Sequence, residues 1–262
     1  MPEYETIQYE LQDNVALLTL NRPERRNAMN MELNRDLLAG FEHAAGDDQV
    51  RAVLVTGAGK GFCAGADLGM FQPVPTGDQI YEKIVSSYQP MMEAIMRMKK
   101  PVIAAVNGVA AGAGASLALA CDLRLMAHDA SMMMAFSNIA LVPDAGATWF
   151  LTRQVGYGRA YEIAIEGNRI PAERCLEIGL ANKIVPAEQL QTIAIAWARK
   201  LAQRPTLALG LTKHAMQHAQ LNDLNSSIEY EARLQKQAVE SQDFMEGVMA
   251  FIQKRDPRFQ GR

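Results

Sequence analysis

Apolar positions follow two rhythms along this chain. Residues 7–10 and 15–20, on either side of Asp13-Asn14, read as two strands joined by a turn. Over 30–45 the rhythm changes, and Leu33, Leu37, Leu38 and Phe41 recur at helical spacing. Residues 50–56 form a β-branched run that stops at Gly57, the mark of a buried strand. Residues 57–69 are rich in glycine and predict a shaped loop. A polar, proline-containing stretch at 72–78 reads as a mobile connection to a helix over 79–98. Residues 101–106 give another apolar strand, which breaks at Asn107-Gly108 before a small-residue helix over 112–120. Further strands are expected at 121–126 and 131–134. From Ala145 onward the pattern is almost entirely helical, with turn signals at Gly156-Tyr157-Gly158, Pro171, Gly179, Pro186 and Pro205. Strands that alternate with helices imply right-handed crossovers and a largely parallel sheet, hence an α/β protein.

Composition narrows this picture. The chain has 262 residues, of which 49% are apolar and 21% charged, an ordinary globular balance with room for one or two domains. A net charge of −3 speaks against a nucleic-acid partner, which calls for a basic face. The longest apolar stretch, 101–120, is interrupted by Asn107 and by glycines and contains Ser116, so it falls short of a membrane span. Cys63, Cys121 and Cys175 show no CxxC or zinc spacing, which predicts neither a disulfide framework nor a metal site. The N-terminal MPEYETIQYE has no apolar core of a signal peptide, so a cytoplasmic location is expected.

Two segments have the form of ligand-contacting loops. Gly61-Phe62-Cys63-Ala64-Gly65-Ala66-Asp67-Leu68 follows a strand, and its small residues let a ligand approach the backbone, although a plain tight turn has the same composition. Asn107-Gly108-Val109-Ala110-Ala111-Gly112-Ala113-Gly114-Ala115-Ser116 lies between a strand and a helix. The first N–H groups of a helix lack partners and sit at the positive end of its dipole, so such a terminus can hold an oxyanion; close helix packing asks for the same small residues. Neither segment is a nucleotide motif. Gly57-Ala58-Gly59-Lys60-Gly61 has glycine where a phosphate loop has Ser or Thr, and Gly112-Ala113-Gly114 lacks the third glycine of a dinucleotide fingerprint, because Leu117 stands there.

Taken in order, FCAGADL and NGVAAGAG, each after a strand, resemble the crotonase (enoyl-CoA hydratase/isomerase) superfamily. The resemblance extends to Asn21-Arg22-Pro23-Glu24-Arg25-Arg26-Asn27-Ala28, to Lys99-Lys100-Pro101-Val102-Ile103-Ala104-Ala105-Val106 and to Gly247-Val248-Met249-Ala250-Phe251. It implies an α/β crotonase fold: a spiral of stacked ββα units over about residues 1–200 and a helical trimerisation region over 201–262. It also implies an acyl-CoA thioester as substrate, with coenzyme A belonging to the substrate and no separate cofactor, and a homotrimer or a dimer of trimers. The thioester oxygen would be bound by the N–H groups of Ala66 and Ala113. Arg25, Arg26, Ala28, Ala64, Gly65, Asp67, Leu68 and Gly112 would line the coenzyme A groove and its approach. Phe251 and Lys254 would touch the nucleotide end, their bland alternatives being a core aromatic and a solvated charge. Residues 68–78 would shape the acyl pocket.

The acids separate branches of that family. Its hydratases use two glutamates, whose places match Ser116 and Phe136, and neither is acidic. Asp144 remains, in Leu141-Val142-Pro143-Asp144-Ala145-Gly146. It reads either as the N-cap of the next helix or as a general base, its pKa raised by burial against Phe136, Met134 or Trp149. The set Met134-Ala135-Phe136-Ser137 with Val142-Pro143-Asp144 is similar to the ring-epoxide isomerases of phenylacetate breakdown, which also shift enoyl-CoA double bonds. One carboxylate suits an isomerisation, in which a single group lifts a proton from one carbon and returns it to another. Other polar residues read as structural: His214 and His218 as a solvated or partly buried pair, His43 and His128 as isolated, Ser116 as pocket lining or a helix hydroxyl, Cys63 as packed, and Met132 to Met134 as strand core with Met134 able to border the acyl pocket.

Overall fold

Strands whose side chains are buried on both faces make the centre of the molecule, and their sequences are correspondingly continuous in apolar residues. In the computed structural model, which describes residues 3–71 and 73–262, the main sheet opens with β1 (Ile7–Gln12), antiparallel to β2 (Val15–Leu20). Helix α1 (Met31–Gly46) follows, with the Asn30 side chain accepting the N–H of Leu33 as its N-cap. Leu33, Leu37 and Phe41 are its fully buried stripe. Then come β3 (Ala52–Gly57) and the short β4 (Gly61–Cys63), the helices α2 (Gly77–Lys83) and α3 (Gln89–Arg97), β5 (Val102–Val106), β6 (Val109–Ala111) and α4 (Ala113–Ala120). The next turn of the spiral is β7 (Leu123–Ala127), β8 (Ser131–Met133), α5 (Ala147–Val155) and α6 (Tyr157–Glu166).

The pairing shows why this is a spiral. β2, β3, β5 and β7 lie side by side and parallel in one sheet, while β4, β6 and β8 lie parallel in a second. From β3 onward, each unit thus gives its first strand to one sheet, its second to the other, and then a helix. Cys121 and Asp122 end α4 and are not part of the strand expected at 121–126; the Asp122 carboxylate instead accepts the Val102 N–H at 2.8 Å.

Three departures from the sequence reading share one cause. β4 hides inside the glycine-rich stretch 57–69, and β9 (Arg169–Pro171) and β10 (Lys183–Val185), on either side of α7 (Ala172–Glu177), interrupt the region read as helical. β9 pairs with β8 and β10 with β7. Each of these strands is three residues long, too short to show a period, and each is held by its partner rather than by its own propensity.

Helix α8 (Leu190–Ala202) covers the main sheet with Leu190, Ala194, Ala198 and Ala202 buried. The chain closes with α9 (Thr206–Ala219), α10 (Leu224–Val239) and α11 (Gln242–Gln253). The Arg51 guanidinium ties this end back to the core, donating to Thr206 Oγ1 at 2.9 Å and the Phe259 carbonyl at 2.7 Å. Among the described residues no helix is long and apolar enough to cross a membrane. The expectation for 72–78 falls in part on Gln72, which lies outside the described residues; α2 begins at Gly77, capped reciprocally by Thr76 and Gln79.

Candidate active site

The second sheet ends at a cavity of about 250 Å³. Ligand sites in α/β sheets form beyond the carboxyl ends of parallel strands, and this cavity obeys that rule. Ala64 to Ala66 follow β4, Gly112 and Ala113 follow β6, and Ala135 and Phe136 follow β8. The far wall is Ile80, Lys83, Ile84 and Tyr88, and the mouth is Leu68, Ile139 and Leu141. Asp144 stands in the wall as well.

Two peptide N–H groups are presented here for a structural reason. The segment 26–29 runs beside 64–67: Ala64 N–H donates to the Arg26 carbonyl, Met29 N–H to Gly65 and Asp67 N–H to Met29. Ala66 N–H, between these rungs, is left out of the ladder. Ala113 N–H is the first of α4 and has no carbonyl one turn earlier to receive it. The two loops abut, since a Cβ built on Gly65 would fall 3.6 Å from the Ala113 nitrogen and 2.7 Å from the Ala111 oxygen. Gly65 has φ +87, and Gly112 has φ +50 and ψ −126, backbone that side-chain-bearing residues rarely adopt.

The loop 22–29 that backs the first donor is itself held by two polar side chains. Asn27, fully buried and at φ +56, accepts the Arg22 N–H and donates to the carbonyls of Ala58, Gly61 and Phe62. The Arg22 guanidinium bonds the Ala28 carbonyl and pairs with Asp67 at 3.1 Å. These two positions stand in the motif NRPERRNA, yet sequence reasoning singled out Arg25, Arg26 and Ala28. Arg25 and Arg26 are exposed and, like Ala28 and Asp67, lie outside the cavity wall. The signal for Asn27 was available, because Asn tolerates the left-handed backbone better than most residues.

Asp144 is not the cap of α5. That position is Gly146, without a side-chain cap, and the Asp144 Oδ1 is buried with no hydrogen-bond partner. Its backbone carbonyl accepts the Ala147 N–H at 2.9 Å and the Ser116 hydroxyl at 3.2 Å. Ser116, fully buried on α4, also reaches the Gly112 carbonyl, so the helix that presents Ala113 fixes the backbone of Asp144. Burial pushes the Asp144 carboxyl up to about 6, against the pull of Lys83 and of its own backbone N–H.

The neighbours expected to bury Asp144 need correction. Phe136 shares its cavity. Met134 does not, and Met133 lines the wall in its place, because side chains alternate along β8 and its continuation and send Met132 and Met134 into the core. Trp149 faces another cavity, beneath the Arg153 guanidinium 4.1 Å from its ring. Lys83 and Tyr88 were missed by sequence reasoning altogether.

Phe251 and Lys254 lie on α11 and at its end, apart from this cavity. Phe251 is 86% exposed and is not a core aromatic; Lys254 is exposed. Cys63 is fully buried, and burial pushes its thiol up to about 12, so it is a packed side chain. His218 stacks on Tyr230, and His214 lies beside the Arg97 carbonyl. Among the described residues no group of acids, cysteines and histidines is arranged to hold a metal ion.

Comparison with known proteins agrees with this geometry. The model of the enoyl-CoA hydratase/isomerase family matches residues 10–262. The chain is 43% identical to the 1,2-epoxyphenylacetyl-CoA isomerase of Escherichia coli K12, over 96% of this chain and 97% of that protein. It is 42% identical to a Rhodobacter capsulatus protein described as a probable enoyl-CoA hydratase, over 99% of each. Among solved structures it superposes on an enoyl-CoA hydratase from Bacillus anthracis with a TM-score of 0.94 and 33% identity, over 98% of this chain and all of that one.

Proposed function

The chain belongs to the enoyl-CoA hydratase/isomerase family and is an enzyme of that family, and from that premise we propose that it is an acyl-CoA isomerase with Asp144 as its one acid/base group. The observation that supports this reading is the make-up of the cavity wall: Asp144 is the one carboxylate among the described residues that line it, and the family resemblance matches the two hydratase glutamates to Ser116 and Phe136, neither of them acidic. The thioester oxygen accepts from Ala66 N–H and Ala113 N–H. Asp144 takes a proton from a carbon of the acyl chain, and the electron pair of that C–H bond moves through the conjugated chain onto the thioester oxygen. The oxyanion is met by dipoles already in place, a form of stabilisation in which one donor is worth about 10²–10³ in rate. Return of the proton from Asp144 to a different carbon restores the thioester carbonyl and leaves the double bond shifted. The reaction needs no cofactor beyond the coenzyme A of the substrate. Linear enoyl thioesters are substrates this step converts outright; a ring-epoxide thioester, the substrate in the name of one relative, would need its ring bonds rearranged in addition to the proton transfer.

The test is to supply 3-enoyl-CoA and to follow formation of the conjugated 2-enoyl-CoA, beside crotonyl-CoA as a hydration substrate. Conversion of the first with little 3-hydroxyacyl-CoA from the second supports the isomerase; the reverse preference overturns it. The pH profile carries a further expectation. A base that works only when ionised, with a carboxyl near 6, gives a kcat/KM that is level above pH 7 and falls about tenfold per pH unit well below 6. A profile level down to pH 4.5 would contradict Asp144 as that base. The same reading assigns the exposed apolar side chains Met245, Met249, Phe251 and Ile252 of α11 to contacts between copies of the chain. Light scattering is expected to give the mass of a trimer or of a dimer of trimers; a monomer at micromolar concentration would refute the assignment.

A further inference from the structure

Helices α2 and α3 are one helix interrupted by a π turn, Ile84–Tyr88, and the cause is Pro90. Without an N–H, Pro90 cannot bond the Ser86 carbonyl one turn earlier, and the ladder resets as the Gln89 N–H donates to the Ile84 carbonyl. The extra residue changes which side chain faces the cavity. In an unbroken helix Ser87 would follow Lys83 and Ile84 on the same face. Here Tyr88 takes that place in the wall beside Ile80, Lys83 and Ile84. Ser87 turns to the core, where its hydroxyl accepts from the Asn34 amide at 2.8 Å.

The result is a cation over an aromatic ring, facing an acid. The Lys83 ammonium lies 5.7 Å from the centre of the Tyr88 ring. Among the described residues lining the cavity, Lys83 is the one cation and Asp144 the one acid. We propose that Lys83 is a positioning residue for the reaction: set over Tyr88 by the π turn, it faces Asp144 across the acyl cavity and holds that carboxylate in its charged, proton-accepting form. This rests on Asp144 as the base. Other groups around the pair act in known directions. The Tyr88 phenol lies near Asp144 and the Asn34 side chain and, held up by burial, stays neutral, while burial presses Asp144 toward protonation. Asp67 supports the charge of Lys83 from the loop after β4, Cys63 lies near Tyr88 as a neutral thiol, and the N-terminal end of α5 adds a small positive field. Lys83 is the full opposite charge that the cavity wall provides.

The experiment is to titrate the Asp144 carboxyl directly by isotope-edited infrared spectroscopy, with Asp144→Asn to assign the band, in the wild type, Lys83→Met and Lys83→Arg. In Lys83→Met the midpoint is expected to rise, and the acid limb of kcat/KM with it. The rate at pH 6 then falls about fivefold for the first unit of that rise and about tenfold for the next, and by less than about threefold at pH 9. Lys83→Arg keeps the charge and is expected to restore both midpoint and limb. A midpoint that stays fixed in Lys83→Met, or a rate lowered by one factor at every pH, overturns the proposal even if Asp144→Asn is inactive. An active Asp144→Asn instead sinks the base assignment, wherever the midpoint lies.

Discussion

Replacing Asp144 with Asn will lower isomerase turnover by about 10²–10⁴-fold and, at pH 7.5, will make the protein more stable. The two effects come from one property. The carboxyl is buried, its Oδ1 has no hydrogen-bond partner, and its pKa stands near 6 in the folded chain against about 3.9 for a free aspartate. The folded state thus binds this proton more tightly than the unfolded state, and the sign follows from linkage. Below about pH 4 the group is protonated in both states and costs nothing. Between 4 and 6 the unfolded chain ionises first, and the penalty grows as pH rises. Above 6 it is complete. A shift of about two units corresponds to at most about 3 kcal/mol, and partial solvent access reduces this to about 1–2 kcal/mol. Asn cannot ionise, so its melting temperature at pH 7.5 is expected to lie a few degrees above wild type, with the difference reduced to about a third at pH 4.5. Calorimetry at the two pH values beside steady-state assays checks both halves. Unchanged turnover sinks the catalytic role, and a variant less stable at pH 7.5 sinks the desolvation account. Active sites built on a desolvated acid commonly show this exchange of stability for function.

Gly65→Ala is expected to lower kcat by about 10²–10³-fold while altering KM far less. An added Cβ would sit 2.7 Å from the Ala111 oxygen, a backbone atom with no rotamer to escape into, and φ is +87. The loop 64–67 must therefore move away from 111–113, and the separation of the Ala66 and Ala113 N–H groups is set by that contact. A donor displaced from the developing oxyanion affects the transition state more than the bound ground state, which places the loss in kcat. Steady-state kinetics with a 3-enoyl-CoA, together with far-UV circular dichroism to confirm folding, decides the matter. A folded variant with wild-type kcat would show that this contact does not set the oxyanion site. Gly65→Ala changes no ionisable group, so the pH at which its rate falls should match wild type, unlike a change at Lys83.

What sequence could and could not show follows from the range of the interactions. The two loops at the cavity, 64–66 and 112–113, were legible because small residues after strands mark where backbone is exposed. Asp144 was legible as an acid but ambiguous as a cap, and only its position two residues before the Gly146 cap resolves that. Tyr88 was invisible for a definite reason. A period of 3.6 assigns Ser87 to the face that Tyr88 occupies, and the correction depends on Pro90, two residues beyond. Met134 was misplaced relative to Met133 because the strand's facing follows from its pairing with β6, which sequence does not give. Arg22 and Asn27 were passed over for the more conspicuous Arg25-Arg26 because their partners, Asp67 and the carbonyls of 58–62, lie over thirty residues away.

Helix α4 has no residue at the surface; all eight, from Ala113 to Ala120, are buried. Its crowded small side chains leave that side of the cavity almost no freedom to vary. The mouth of the cavity is made of Leu68, Ile139 and Leu141, each about half exposed. The rigid helix and the exposed mouth are thus different parts of one lining, although Leu68 and Leu141 of the mouth stand two and three positions along the chain from Ala66 and Asp144. Room for the lining to change is therefore greatest at the mouth, where half-exposed side chains can be exchanged without repacking α4.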